Sequence, residues 1–210
     1  MLLTILTTLA FLSATLAILA AYQNRRLTHY LCKPLTIVFI ILIALQPKYS
    51  ASSFYRYAII AGLLFSLAGD VFLMLPRDYF MQGLASFLVA HLFYIAAFMF
   101  ESGRALSLWG SIPFLIYSGL MFRLLWPYLG KMRLPVMLYM LAILIMGWTG
   151  MSRWMLTGQP GSLLAIFGAL LFIASDSLLA LEKFKSRFRS AQFLILTTYF
   201  TAQWLIALST

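Results

Sequence analysis

The chain is predicted to be an all-α, polytopic membrane bundle of eight transmembrane helices. Mean hydropathy is +0.96, 63% of the residues are apolar and 10% are charged. The apolar residues also gather into eight long runs separated by short polar connections. No water-soluble core of 210 residues hides that much hydrocarbon surface, so lipid must be the solvent. The runs are continuous and lack the period-two alternation of a transmembrane barrel.

A spanning helix needs about 20 mostly apolar residues. Such runs fall at 2–22, 32–46, 56–75, 80–100, 107–127, 134–155, 161–181 and 190–208. No Lys or Arg precedes the first run and Arg25-Arg26 follow it, a pattern that argues against a cleaved signal peptide. The second is the shortest; Pro34 fits its first turn, where a missing N–H costs nothing. The third ends just before Pro76, and the fourth starts after a connection of four residues, 76–79. Arg123, Lys131 and Arg133 separate the fifth from the sixth, and Pro135 and Pro160 stand beside the starts of the sixth and seventh. A basic connection, 182–189, leads into the eighth. No linker or low-complexity segment interrupts the series, so residues 1–210 read as a single integral-membrane domain.

The formal charge of +10 sits mainly in these connections, which marks the cations as topology determinants facing anionic headgroups, not as a nucleic-acid surface. The odd-numbered connections hold eleven Lys and Arg and the even ones four, counting Arg104 and Arg153. The positive-inside rule then puts the odd connections in the cytoplasm and both termini on the non-cytoplasmic side. The single cysteine, Cys32, has no partner for an internal disulfide.

Two of the five acidic residues occupy matching apolar contexts 106 positions apart: Asp70 in Leu67-Ala-Gly-Asp-Val-Phe-Leu and Asp176 in Ile173-Ala-Ser-Asp-Ser-Leu-Leu. A carboxylate at bilayer depth costs roughly 2.5–3.5 kcal/mol on insertion scales and usually faces a polar cavity. Both lie on the order of 8 Å below a cytoplasmic helix end, at nearly equal depth. The same offset pairs Ala68 with Ala174, Leu73 with Leu179 and Phe87 with Phe193. This suggests two parallel four-helix halves, although the first two spans of each half show no match.

The two carboxyls admit three roles. They can be helix–helix glue, a proton relay in a transporter, or an acid–base pair acting on one substrate with one acid neutral and the other ionised. His91 and Tyr94, at i and i+3 in the fourth span, share a face and either pack or orient substrate. Lys33 is either a snorkelling cation, a phosphate contact or a counter-ion for an aspartate. Tyr139 and Trp148 in the sixth span, with Tyr199 and Gln203 in the eighth, either pack or jointly line a polar pocket. Two histidines, with His29 in a connection, are too few for a three-His zinc site, and no metal or cofactor is expected.

An ordered set of motifs resembles the YhhN-like family along nearly the whole chain. It comprises Lys33-Pro34, Gly69-Asp70-x-x-Leu73-Met74, Phe80-x-x-Gly83-x-x-x-Phe87-x-x-x-His91-x-x-Tyr94, Ser175-Asp176-x-x-Leu179-Ala180 and Tyr199-x-x-Ala202-Gln203. The resemblance implies a metal-independent lysoplasmalogenase, which cleaves the vinyl-ether bond of a lysoplasmalogen to a fatty aldehyde and a glycerophospho-base. It also implies Asp70 and Asp176 as the catalytic pair. The chemistry suits two carboxyls: a vinyl ether hydrolyses by protonation of its β-carbon and capture of the oxocarbenium ion by water. The expected partner is a lysophospholipid substrate and the expected location a bacterial inner membrane. A proton-coupled transporter and a non-catalytic lipid-binding bundle are the competing readings.

Overall fold

The structure, a computed structural model, describes residues 1–46, 48–49, 51–103 and 106–210. Arg104, counted above among the connection cations, lies outside the described residues. Eight α-helices follow one another, and no strand occurs among the described residues: α1 Leu2–Tyr22, α2 Arg26–Ala44, α3 Ser53–Met74, α4 Phe80–Glu101, α5 Leu108–Leu125, α6 Arg133–Thr157, α7 Pro160–Ala180 and α8 Ala191–Leu208. Each lies in a helical segment long and apolar enough to cross a membrane. Two 3₁₀ turns link α5 to α6, and a π-helical turn, Leu181–Lys185, extends α7.

Local chemistry sets the ends. Ser52 caps α3 by accepting from the Tyr55 N–H at 3.1 Å, while its own N–H donates to the Glu101 carboxylate at 2.9 Å. Ser107 caps α5. Gly158 closes α6 in the left-handed conformation (φ 59°), a C-cap geometry that suits glycine, and Pro160 opens α7 two residues later.

Three expectations need correction. α2 starts at Arg26, six residues earlier than the apolar run, so His29 and Lys33 are helical and Pro34 lies in the helix interior. There Pro34 has no N–H for the Tyr30 carbonyl one turn back. Arg153 is not in a connection: it is 2% exposed inside α6, where its guanidinium stacks 4.2 Å from the Tyr55 ring and donates to the Tyr55 hydroxyl at 2.7 Å. Stacking and a charge-assisted hydrogen bond offset part of the cost of burying that cation.

Six helices form a ring in the order α2, α3, α4, α6, α7, α8, closed by packing of α8 on α2. α1 lies outside the ring against α2 and α8, and α5 lies outside it on α6. An outer helix followed by three ring helices thus occurs twice. Asp70 and Asp176 each precede the end of their α-helix by four residues. The offset does not extend to burial in the next helix, since Phe87 is buried and Phe193 is 48% exposed.

Two glycines illustrate how closely the helices approach. A Cβ at Gly69, beside Asp70, would lie 2.7 Å from the Phe87 ring of α4. One at Gly168 would lie 2.9 Å from the Ala202 carbonyl of α8. Small residues let neighbouring backbones come this near, the usual device of membrane bundles.

Candidate active site

The ring encloses a polar cavity of about 500 Å³ near the 75–79 connection, and both aspartates line it, with Lys33 and Tyr199. Their surroundings differ. Asp70, 1% exposed, faces the Lys33 ammonium at 3.0 Å and accepts from the Tyr199 hydroxyl at 2.6 Å. A directed chain stands behind that phenol: Tyr94 donates to the Gln203 carbonyl at 2.8 Å, and the Gln203 amide donates to the Tyr199 oxygen at 3.3 Å. Tyr199 is clamped edge-on by Phe87 and Phe172, with ring centroids 5.9 and 5.5 Å away. Asp70 is therefore held between an ammonium and an aligned phenol.

Asp176 is partly buried on α7. It accepts from the Tyr139 hydroxyl of α6, and no cation among the described residues pairs with it. It also forms the junction with a second, apolar slot of about 60 Å³ lined by Tyr139, Met140, Ile143 and Leu144. One acid thus has a fixed counter-charge; the other has a phenol and an apolar wall.

Of the nine residues singled out from sequence, Lys33, Asp70, Asp176 and Tyr199 meet in the polar cavity, and Tyr139 meets Asp176 from the slot. His91, Tyr94 and Gln203 line neither space. His91 is fully buried, edge-on to Tyr139 at 5.2 Å and Phe172 at 4.8 Å, with neither ring nitrogen hydrogen-bonded among the described residues. It touches the site through Tyr139 and, by way of Phe172, through Tyr199. Trp148 is elsewhere, donating to the Ser107 carbonyl at 2.8 Å.

Sequence reading missed His29, which lines the cavity one helical turn before Lys33. Its Nδ1 lies 2.9 Å from the Ala17 carbonyl; a carbonyl only accepts, so Nδ1 carries the hydrogen and Nε2 is left available. The i, i+4 spacing of His29 and Lys33 was the available signal, hidden by placing the helix start too late. At the mouth, Lys183 pairs with Asp78 at 3.4 Å and sits 4.8 Å from the Phe80 ring. Among the described residues no three His, Cys, Asp or Glu side chains converge as metal ligands.

No solved structure matches the chain. Among curated relatives, the uncharacterized membrane protein YhhN of Escherichia coli is 30% identical over 201 residues, 94% of each chain. Lysoplasmalogenase TMEM86A of Bos taurus is 37% identical over 183 residues, covering 85% of this chain and 75% of the relative. Human lysoplasmalogenase TMEM86B is 36% identical over 165 residues, 76% of this chain and 66% of the relative. The YhhN family profile matches residues 28–210, a span that takes in both aspartates, Lys33 and Tyr199. The chain belongs to the YhhN family.

Proposed function

We propose that this protein is a metal-independent hydrolase of lysoplasmalogen-like lipids, cleaving the vinyl-ether bond to a fatty aldehyde and a glycerophospho-base. One observation carries the reading: two carboxyls of unlike surroundings share one cavity, one of them at its border with an apolar slot. The names of the mammalian relatives agree with it.

Asp176, with no cation beside it among the described residues, carries a proton and delivers it to the β-carbon of the vinyl ether. The enol-ether π pair forms the new C–H bond, leaving an oxocarbenium ion between the two carboxylates, which stabilise it electrostatically. Asp70, ionised by Lys33, takes a proton from water as the water oxygen bonds to the cationic carbon. In the resulting hemiacetal, the Asp176 carboxylate takes the hydroxyl proton, the aldehyde C=O forms, and the C–O bond to glycerol breaks. The proton on Asp70 passes to the departing glycerol oxygen. Both acids return to their starting states, and one water is consumed.

Lys33 has a second task, since its remaining donors face a cavity that also holds His29 and Arg77, a cationic seat for a phosphodiester. Tyr199, aligned by Gln203 and Tyr94, fixes the Asp70 carboxylate.

Purified protein in detergent should release long-chain aldehyde from a 1-alkenyl lysophospholipid, at a rate EDTA leaves unchanged. Asp176→Asn and Asp70→Asn should each lose about 10²–10⁴-fold in rate while keeping helical content. An inert parent protein, or full activity in either variant, would refute the proposal.

A further inference from the structure

Besides the polar cavity, the structure holds an apolar groove of about 550 Å³ between α5 and α6, running from Phe122 and Met137 to Ser111 and Trp148. It is not separate from the site. The slot behind Asp176 shares Leu73, Phe80, Phe87 and Leu179 with the polar cavity, and Met140 and Leu144 with the α5–α6 groove. Polar cavity, slot and groove are therefore neighbours in series, parted by single side chains, and Asp176 stands at the first junction.

The walls change character along this path. Around the polar cavity stand Lys33, His29, Arg77 and Lys183. In the slot Asp176 is the only Asp, Glu, Lys, Arg or His among the lining residues, and the Tyr117 and Ser177 hydroxyls hydrogen-bond to each other. Among the described residues that line the groove none is charged. The slot is the smaller space, about 60 Å³ against about 500 Å³ for the polar cavity, a size that suits a single aliphatic chain and not a headgroup. At the second junction stands Met140, an unbranched side chain that yields readily to a neighbour. The outer wall yields too: only Gly110, Phe114, Met121 and Leu125 of α5 are buried.

We infer that slot and groove are the seat of the substrate's single unbranched aliphatic chain, which passes Asp176, crosses between Met140 and Leu144 and lies between α5 and α6. This rests on the hydrolase reading above and adds to it where the chain lies and which residues measure its length. From Met140 to Trp148 the α6 backbone rises about 12 Å, so chain length is read far from the acids. The same track delivers the aldehyde sideways into the bilayer. It makes Gly119 a length-determining position: a Cβ there meets nothing within 4 Å, so a large side chain fills the groove without disturbing the fold.

The test has two arms. In the first, Gly119→Trp is compared with the parent on 1-alkenyl lysophospholipids of long and short chain. The ratio of kcat/KM for long over short chains should fall about tenfold or more; an unchanged ratio in a folded variant overturns the inference. In the second, a lysophospholipid with a diazirine at its chain terminus is photolysed on the full-length parent protein and the adducts are mapped. Adducts concentrated on α5 and α6 around Leu115, Gly119 and Trp148 support the track. A second apolar groove lies between α1 and α8, lined by Phe11, Ile18, Phe200 and Trp204; equal labelling there, or equal labelling of α5–α6 by a diacyl phospholipid probe, overturns it. The second arm reads binding alone. A parent that releases no aldehyde but labels α5–α6 would therefore refute the hydrolase reading and leave the chain seat standing.

Discussion

Lys33→Met removes the cation that faces Asp70 across 3.0 Å. The pair is secluded, with side chains 10% and 2% exposed, so the carboxylate left behind has no bulk water to turn to. Deleting one member of a buried ion pair costs about 3–5 kcal/mol, mostly the penalty of stranding the other. Asp70 keeps the Tyr199 hydroxyl at 2.6 Å, which places the expected loss near the lower end, about 3 kcal/mol. Asp70→Asn strands the ammonium in the same way and should lose about as much. With both changes together neither charge remains. The double variant should then lose only about 1 kcal/mol, not the roughly 6 kcal/mol of the sum, a coupling of about 5 kcal/mol. Reversible unfolding of the purified protein in mixed micelles titrated with sodium dodecyl sulfate, followed by circular dichroism, measures all four corners. Losses that add to within about 0.5 kcal/mol would show that the two groups do not depend on each other, and the ionised state assigned to Asp70 would fall.

Two other substitutions test separate parts of the structure. Tyr139→Phe deletes the hydroxyl that donates to Asp176. That bond gains a charged partner only as Asp176 releases its proton. A hydrogen bond to a charged group contributes about 1.5–3 kcal/mol, so aldehyde release should slow by about 10- to 100-fold with the unfolding midpoint little changed, and an unaltered rate would dismiss Tyr139 from the mechanism. Gly168→Leu puts a side chain against the Ala202 carbonyl and Ile206, at 2.9 and 2.7 Å from its Cβ. Forced separation of α7 from α8 should cost about 1–3 kcal/mol in the same micelle titration, and parental stability would mean that the two helices are not in tight contact.

The acids could be read from sequence because a carboxylate in an apolar run has few inexpensive fates, and both proved to face one cavity. Lys33 was legible for its charge, but its position inside a helix was not. The segment Arg26-Leu-Thr-His-Tyr-Leu-Cys is too polar for a hydropathy scan, yet its backbone continues the helix beyond the apolar stretch and carries His29 into the site. Arg153 misled for the opposite reason. A charge scan takes a cation near a span's end for a connection, and only the packed structure reveals the Tyr55 ring beneath it. The i, i+3 spacing of His91 and Tyr94 correctly put both on one buried face, but spacing does not say whether a face meets a cavity or a layer of phenylalanine. The slot and groove were invisible in principle: their leucines, methionines and phenylalanines are the residues that also face lipid.

The repeated arrangement bears on how the two acids came to differ. An outer helix and three ring helices occur twice, and the two aspartates occupy equivalent places on α3 and α7, each four residues from the end of its α-helix. Left to that symmetry, both carboxyls would have the same neighbours and share the same tendency to hold a proton. The asymmetry comes from the helices that flank them. α2 and α8 close on Asp70 and bring an ammonium and an aligned phenol, whereas α6 gives Asp176 a phenol and leaves its other side to the apolar slot. The repeated arrangement gives the two acids like places on their helices; the flanking helices give them unlike neighbours. By this argument, giving Asp176 a cation of its own, for instance Met140→Lys on the slot wall, should hold it as a carboxylate and abolish vinyl-ether protonation with every original polar group in place. A Met140→Lys protein that folds and retains the parental rate would show that the unlike surroundings of the acids are not what catalysis uses.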